Sequence, residues 1–177
     1  GKYVPLRTFL SRMLGRTKDI IAFYDVANGL TFAERKMGEA FRVAVDARRR
    51  ITGGVELPLA LPRDAYRLFP WVETFLSDPS QHGAFVLEYA ETVVPDGDVA
   101  MKGEADRAMR VTLQRWAADP SVSSTDNIIV LVTENLADLD RTVRSAPRLT
   151  PIEIPIPDAE TRKAYIDHSF EEDGNVG

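Results

Sequence analysis

The sequence NIIVLVTEN, residues 127–135, gives the clearest indication of the fold. Its five consecutive apolar residues, most of them β-branched, predict a strand that is buried on both faces, and strands of that kind belong to parallel sheets. The run ends abruptly in Thr133, Glu134 and Asn135. Because ligands of open α/β sheets bind beyond the carboxyl ends of the strands, these polar residues lie where such a fold would have a functional site.

Four further segments have the apolar character of strands. Residues 19–25 and 83–91 are short apolar runs with acids at their ends, and both predict buried strands. Residues 55–61 predict a strand that Pro58 restricts to a sheet edge, and residues 152–156 alternate isoleucine with Glu and Pro, which predicts a half-exposed final strand. Because helical patterns separate these segments, we expect a doubly wound α/β fold, a parallel five-stranded sheet with helices on both faces.

Apolar residues recur at helical spacing in five segments, at about 6–14, 33–50, 62–76, 104–118 and 158–168. We expect Pro70 to kink or split the third of these helices, because proline lacks the backbone donor. We interpret residues 1–16 as a helical appendage, 17–168 as the α/β domain and the acidic stretch 169–177 as a disordered tail. Because the chain starts with Gly1 rather than Met, we expect it to be a fragment of a longer protein.

The composition restricts the possible classes of function. The chain of 177 residues has a net charge of −5 with acids and bases interspersed, which argues against a nucleic-acid partner. It contains no cysteine, which excludes disulfides, thiolate metal sites and cysteine nucleophiles. No apolar run approaches the length of a membrane span, and no signal-peptide pattern is present. We therefore expect a cytoplasmic protein without a membrane partner.

Acidic residues follow several of the predicted strands. Asp25, Glu88, Glu91 and Glu134 lie at or just beyond strand ends. Because the carboxyl ends of parallel strands meet at one edge of a sheet, two or three of these carboxylates could bind Mg²⁺, which prefers oxygen ligands. The alternative is that each acid caps the next element or faces solvent.

The sequence contains neither of the glycine-rich motifs that bind phosphate, G-x-x-x-x-G-K-[ST] and G-x-G-x-x-G. A phosphate cradle needs successive backbone N–H groups, which such loops present to the ligand. After the first predicted strand the chain offers only Asn28 and Gly29, a dipeptide typical of turns. These two residues are the candidates for an unusual nucleotide-binding loop.

Three parts of the chain resemble AAA+ ATPases. FVLEYAE, residues 85–91, is similar to the Walker B strand, an apolar run that ends in two acids. Residues 128–140 resemble the sensor 1 strand and the acidic loop after it. VRSAPRLT, residues 143–150, followed by IEIPIPD, residues 152–158, is similar to the arginine-finger region and final strand of the AAA subgroup. The likeness runs in the same order over residues 83–168.

The resemblance implies roles for individual residues. Glu88 takes the place of the magnesium-binding Walker B acid. Tyr89 stands where the family has its catalytic Glu, and Glu91 is a displaced substitute for that Glu. A phenol with a pKa of about 10 cannot act as a carboxylate base near neutral pH. Thr133 and Asn135 bracket the sensor 1 position.

Arg148 matches the first arginine finger, which in such assemblies stabilises phosphate charge in the site of a neighbouring subunit. The second finger position of the family is not occupied by arginine in this sequence, and the residue nearest to it is Pro151. The resemblance thus implies a degenerate AAA+ core without a Walker A loop or a helical lid. Such a module acts in the assembly or regulation of a larger AAA ATPase, binds ATP and Mg²⁺ weakly or not at all, and has other AAA+ subunits or domains and a protein as partners.

Two other functions stay open at this point. One is a Mg²⁺-dependent nucleotide hydrolase or phosphotransferase that uses Asp25, Glu88 and Glu134. The other is a non-enzymatic protein-interaction domain that shares only the fold, since a fold alone does not determine a function. Whether the isolated domain is an enzyme is therefore undecided by the sequence.

Overall fold

A four-stranded sheet organises the part of the chain that the computed structural model describes, which is residues 3–54, 57–58, 60–97 and 103–173. Side chains are described as far as residue 168. In chain order the elements are α1 (Leu6–Leu14), β1 (Ile20–Asp25), β2 (Gly29–Phe32), α2 (Arg35–Thr52), α3 (Ala65–Leu76), β3 (Gly83–Leu87), a 3₁₀ turn (Ala90–Thr92), α4 (Glu104–Ala118), α5 (Pro120–Ser123), β4 (Ile128–Leu131), a second 3₁₀ turn (Leu136–Asp138), α6 (Arg141–Arg144) and α7 (Ala159–Asp173).

The strand order in the sheet is β2-β1-β3-β4. β1 pairs in parallel with β3, with Tyr24 opposite Leu87, and β3 pairs in parallel with β4. β2 runs antiparallel to β1. The predictions of an α/β fold and of buried strands within residues 19–25 and 83–91 are confirmed, because β1 and β3 are buried along their whole length.

The prediction of five parallel strands is not confirmed in the described residues. β2 is a short antiparallel strand that was not among the predicted ones. Residues 152–156 are not in a strand, and their three isoleucines are at least 68% exposed. Pro155 in the middle of this segment has no N–H to donate to a neighbouring strand. Of the strand predicted at 55–61, residues 55, 56 and 59 lie outside the described residues, and the others are not in a strand. The doubly wound arrangement stays a prediction.

β4 lies at an edge of the sheet, although its sequence predicts a strand buried on both faces. Ile128 is 39% exposed, and Ile129, Val130 and Leu131 are half-buried. The reason is topological, because β3 is the only strand in the described part of the chain that pairs with β4. An apolar run by itself does not distinguish an edge strand from a central one.

The helical periodicities predict the main helices well. α1 and α4 have the predicted bounds, and α2 is shifted by two residues. α3 continues through Pro70 and is not split. α7 reaches into the segment predicted as a tail, whose last residues, 174–177, lie outside the described part of the chain.

None of the helices in the described ranges combines the length and the apolar character that crossing a bilayer requires.

Aromatic rings fill the face of the sheet that α3 and α4 cover. The ring of Tyr24 lies 5.4 Å from that of Phe69, which stacks on Trp116 at 5.2 Å. Phe85 of β3 meets the Phe69 ring edge-on at 5.6 Å. Burial of each such side chain stabilises the fold by about 1.5–3 kcal/mol, so this cluster holds α3 and α4 on the sheet.

α1 packs on the opposite face. Successive strand residues point to opposite faces, so Phe23 points away from the face of its neighbour Tyr24. Arg7 of α1 lies over the ring of Phe23, and Leu10 and Leu14 of the same helix are buried in the core. α1, the predicted helical appendage, is therefore packed against the sheet of the same chain.

Candidate functional site

The carboxyl ends of β1, β3 and β4 lie side by side at one end of the sheet. We call this end the carboxyl rim and define it as residues 25–29, 88–92 and 132–138. The predicted site residues on this rim are Asp25, Asn28, Gly29, Glu88, Glu91, Thr133, Glu134 and Asn135. The sheet thus brings these residues to one edge, but many of their polar atoms already have partners within the chain.

Asp25 closes the turn between β1 and β2. Its Oδ1 accepts hydrogen bonds from the backbone N–H groups of Ala27 at 2.9 Å and Asn28 at 2.8 Å, and its Oδ2 accepts one from Asn28 Nδ2 at 2.9 Å. Gly29 follows with a φ of 73°, a left-handed conformation that glycine adopts without steric cost. Asp25 therefore binds the N–H groups that a phosphate loop would present to its ligand.

The titration of the groups at the end of β1 follows from these contacts. Burial of Asp25 opposes its ionisation, but the hydrogen bonds from Asn28 and the turn backbone, with the charge of Arg7, outweigh that effect and lower the pKa of its carboxyl. Burial and the nearby carboxylates, first that of Asp64, raise the pKa of Tyr24 to about 12. A general acid or base works best with a pKa near the operating pH. Neither shift brings the pKa of Asp25 or Tyr24 closer to neutral pH.

Glu88, the predicted magnesium ligand, is paired with an arginine from α1. Arg7 Nη1 donates to Glu88 Oε2 at 2.9 Å, and Arg7 Nη2 donates to Thr31 Oγ1 at 2.6 Å. The guanidinium carbon lies 4.2 Å from the centroid of the Phe23 ring. The two charged side chains are 38% and 19% exposed, so water and salt screen their attraction less than that of a fully exposed pair.

Tyr89, at the position of the family's catalytic Glu, and Glu91, the displaced substitute for that Glu, have unusual environments. Tyr89 has φ 52° and ψ 49°, a left-handed conformation that is uncommon for a residue with a side chain, and it is 54% exposed. Glu91 Oε2 is buried, and within the described residues it has no hydrogen-bond partner. Backbone strain of this kind is concentrated at functional sites, where the surroundings enforce it.

The side chains after β4 shape their own loop. Thr133 Oγ1 donates to the backbone carbonyl of Asn135 at 3.0 Å. Asn135 Oδ1 accepts a hydrogen bond from the N–H of Ala137 at 3.0 Å and caps the 3₁₀ turn that follows. Glu134 lies between them and is exposed. The predicted sensor role of Thr133 and Asn135 stays a prediction, and in this structure both side chains bind local backbone groups.

The acids of the rim do not fit a Mg²⁺ site. Across the described ranges, no group of three or more His, Asp or Glu side chains is arranged to hold a metal ion. Glu88 is bound to Arg7, and Asp25 is bound to its own turn, whereas Mg²⁺ demands oxygen ligands in near-octahedral geometry. The role of Glu88 and Glu91 as metal ligands stays a prediction without support from this geometry.

Arg148 lies away from the carboxyl rim. Its side chain is exposed, and Nη1 is 3.5 Å from the backbone carbonyl of Ser123. Ser123 ends α5, which leads into the amino end of β4, so Arg148 is at the opposite end of the sheet from Glu88. Within one chain, Arg148 and the predicted rim residues do not form one site.

Arg7 and Thr31 were not among the site residues predicted from the sequence. Arg7 belongs to the polar side of an amphipathic helix, a position typical of residues that face solvent. It is 81 residues from Glu88 along the chain, so no local pattern connects the two. For Thr31 the signal is present but weak, because Asn-Gly between short apolar segments is typical of a β-hairpin.

Two surface grooves lie on the outer side of α3 rather than at the rim. Their volumes are about 240 and 380 Å³, and both are bordered by Pro70 and Glu73. Neither groove contains a rim residue. The two grooves are therefore separate from the candidate site at the rim.

Comparison with known proteins gives a family and a distant structural likeness. The model of a family described as the AAA+ chaperone N-terminal Rossmann-like domain matches residues 1–155. Among solved structures, a chain of the E. coli MS115-1 HORMA:CdnC:Trip13 complex has 18% sequence identity and a TM-score of 0.43. The likeness covers 96% of this chain and 59% of that one, so this chain spans about three fifths of its length. The comparison with curated proteins finds no match.

Proposed function

The chain belongs to the family of AAA+ chaperone N-terminal Rossmann-like domains, and from that premise we propose that it is a degenerate AAA+ module that regulates or assembles a larger AAA ATPase. In this role it hydrolyses little or no ATP by itself. Its partners are other AAA+ subunits or domains and a further protein, and it works in the cytoplasm. The net charge of −5 gives no general attraction for nucleic acid.

The turn between β1 and β2 is the observation that carries this proposal. Phosphate sites of nucleotide-binding α/β proteins use free N–H groups at the start of a helix. Here the N–H groups of Ala27 and Asn28 are bound by Asp25, and the chain continues into antiparallel β2 instead of a helix. A nucleotide at this turn would have to displace bonds that the protein already makes, so we expect ATP to bind weakly or not at all.

Arg148 is the residue through which we propose that the module acts on a neighbour. It is exposed and lies at the end of the sheet opposite the carboxyl rim. An arginine finger acts in the site of another subunit, and an exposed arginine away from its own rim is accessible for that purpose. Its contact with the backbone carbonyl of Ser123, at 3.5 Å, is weak enough to be exchanged for a phosphate.

Calorimetric titration of the chain with ATP and Mg²⁺ tests the first part of the proposal. We expect no saturable heat up to about millimolar ATP, which corresponds to a binding free energy no better than about −4 kcal/mol. Saturable binding at micromolar ATP that Asn28→Ala abolishes would overturn the proposal. If hydrolysis accompanied that binding and Glu88→Gln removed it, the Mg²⁺-dependent hydrolase would replace the regulatory module.

Substitution of Arg148 in the full-length protein tests the second part. We expect Arg148→Ala to lower the ATPase rate on the order of 10³-fold, the smaller end of the range for arginine fingers. Arg141→Ala is the matched control, because Arg141 is also an exposed arginine and lies close to Arg148 in the sequence. If both variants are folded by circular dichroism and have equal ATPase rates, Arg148 does not act as an arginine finger.

A further inference from the structure

We propose that Glu88, Thr31 and Phe23 form a guanidinium-binding site at the carboxyl rim, and that Arg7 fills it from within the chain. In this proposal Glu88, which the sequence predicts to bind magnesium, binds an arginine side chain and not a metal ion. This inference concerns the cation at Glu88, and it does not depend on whether ATP binds elsewhere on the rim.

The register of the sheet places the three groups on one face. Phe23 of β1 is opposite Thr31 of β2 on one side and opposite Val86 of β3 on the other. Paired residues of neighbouring strands share a face, and so do residues i and i+2 of one strand. Glu88, two residues after Val86, continues the pairing, because its N–H donates to the carbonyl of Tyr24 at 2.8 Å. The carboxylate, the hydroxyl and the ring therefore converge under α1.

The contacts of Arg7 match the shape of a guanidinium group. Two different nitrogens of the planar group reach two acceptors, Glu88 Oε2 at 2.9 Å and Thr31 Oγ1 at 2.6 Å, while the guanidinium carbon lies over the Phe23 ring, 4.2 Å from its centroid. The Thr31 hydroxyl lies 3.4 Å from the backbone carbonyl of Phe23, to which it donates, so its lone pairs are free to accept from Arg7. An arginine carries its charge permanently and also stacks on aromatic faces, which an ammonium group or a hydrated metal ion does less well.

The same three groups are a poor match for a divalent cation. They supply one carboxylate, one hydroxyl and an aromatic ring, and the ring offers Mg²⁺ no oxygen. Phe23 is 0% exposed, so its ring lies in a dry environment where a strongly hydrated ion would have to lose water. The weakly hydrated guanidinium loses less on entering such a site.

α1 has a second attachment to the sheet that is independent of the guanidinium site. Leu10 and Leu14 are 8% and 5% exposed and belong to the hydrophobic core. We therefore expect the helix to stay docked when Arg7 is shortened. Arg7→Ala would then leave the guanidinium site open and accessible to a small ligand.

Thermal unfolding of the Arg7→Ala variant with and without methylguanidinium tests the proposal. We expect the variant to unfold about 5 °C below the wild type, because it loses the charged hydrogen bonds to Glu88 and Thr31 and the contact with Phe23. At about 10 mM, methylguanidinium should recover at least half of that loss by binding the folded state. Mn²⁺ at the same concentration should recover none of it, and neither ligand should change the wild type.

The double variant Arg7→Ala, Glu88→Gln is the matched control, because it lacks the carboxylate that the ligand binds. Methylguanidinium should leave its unfolding temperature unchanged. If methylguanidinium stabilised both variants equally, or stabilised neither, the site would not be the one proposed. Recovery of Arg7→Ala by Mn²⁺ in place of methylguanidinium would identify Glu88 as part of a metal site and overturn the proposal.

Arg7→Lys keeps the test decisive if Arg7→Ala does not fold. Lysine retains the positive charge but not the planar group that reaches two acceptors and covers the ring. We expect Arg7→Lys to unfold at a temperature clearly below that of the wild type. An unfolding temperature equal to that of the wild type would mean that any cation suffices, and the proposed selectivity for guanidinium would be wrong.

Discussion

The amino end and the carboxyl end of the sheet are both closed by polar side chains, but the contacts differ in what they join. At the amino end, Lys18 Nζ lies 2.8 Å from Asp126 Oδ2, and His82 Nδ1 lies 3.0 Å from the same oxygen. Asn127 Oδ1 accepts a hydrogen bond from the N–H of Gly83 at 2.7 Å. We call Lys18, His82, Asp126 and Asn127 the amino-end clasp. It joins the segments that lead into β1, β3 and β4.

The carboxyl rim is closed by an element from outside the sheet. Arg7 reaches it from α1, and its side chain is 38% exposed, whereas the Lys18 side chain in the amino-end clasp is 3% exposed. The rim also presents the strained and exposed Tyr89. The clasp therefore holds neighbouring strands together, while the rim contacts attach a helix and a turn to strands that are already paired. We expect substitutions in and around the clasp to cost more stability than those at the rim.

Two glycines, one at each end, give the largest expected contrast. A Cβ on Gly83 would lie 2.3 Å from Cε1 of Phe75, a core residue that is 2% exposed. Gly83→Ala should therefore lower the free energy of unfolding by about 3 kcal/mol. Gly29→Ala at the rim would place a residue with a side chain at a φ of 73°, at an expected loss of about 1.5 kcal/mol. Urea unfolding followed by circular dichroism measures both losses, and a larger loss for Gly29→Ala would reverse the comparison.

The two asparagines that flank β4 provide a second, smaller contrast. Asn127→Ala removes the bond to the N–H of Gly83 and the bonds from Nδ2 to the carbonyls of Leu76 at 3.0 Å and Asp78 at 3.3 Å. We expect a loss of about 2 kcal/mol, because partly buried backbone groups are left without partners. Asn135→Ala removes one cap at the rim, for a loss of about 1 kcal/mol. Equal urea midpoints for the two variants would contradict the structural difference between the ends.

Acid should weaken both ends through their aspartates. The hydrogen bonds from Lys18 and His82 hold the pKa of Asp126 below its ordinary value. The pKa of Asp25 is lowered despite burial by the hydrogen bonds of its turn. A lowered pKa in the folded state contributes stability that is present above the ordinary aspartate pKa of about 4 and is lost as the pH falls through the folded value. We expect the unfolding temperature to be level between about pH 7 and about pH 5 and to fall below about pH 4.

Asparagine variants identify which end dominates this acid response. Asp126→Asn should flatten the decline at low pH by removing the titrating group of the amino-end clasp, and Asp25→Asn should do the same for the rim. Unfolding temperatures measured across the same pH range compare them. A decline that neither variant alters would assign the acid sensitivity to other carboxylates.

The smallest expected effect is a gain in stability at the rim. Tyr89 has a φ of 52°, and asparagine tolerates this left-handed region better than tyrosine does. Tyr89→Asn should raise the free energy of unfolding by about 0.5 kcal/mol. Tyr89→Phe keeps the strain and should leave the stability unchanged. A loss on Tyr89→Asn would show that the exposed phenol makes a stabilising contact that outweighs the strain.

The main helices and the two buried strands could be predicted because their signals are local. The apolar spacing of Leu10 and Leu14 with their neighbours already describes one face of α1, and the continuous apolar runs of β1 and β3 describe strands buried on both sides. Periodicity depends only on residues within a few positions of one another. Long-range packing did not change these elements.

The sheet neighbours could not be predicted in the same way. β4 has as apolar a sequence as β1, yet it lies at the sheet edge, because strand position is set by which segments pair and not by the strand itself. The segment 152–156 alternates like a strand but is not paired in the described structure. In the two parallel pairs the strands are far apart in the chain, so a short pattern does not determine which of them become neighbours.

For the candidate site, the apolar runs were enough to predict that Asp25 and Glu88 lie at the ends of buried strands and at the same end of the sheet. Asp25 binds Asn28, three residues further along the chain, but the partner of Glu88 is Arg7, 81 residues away, which no local pattern predicts. The energy of the ion pair between Arg7 and Glu88 depends on the distance between the charges and on their exposure to water. Both quantities are set by how α1 packs on the sheet, and neither can be read from the spacing of residues along the chain.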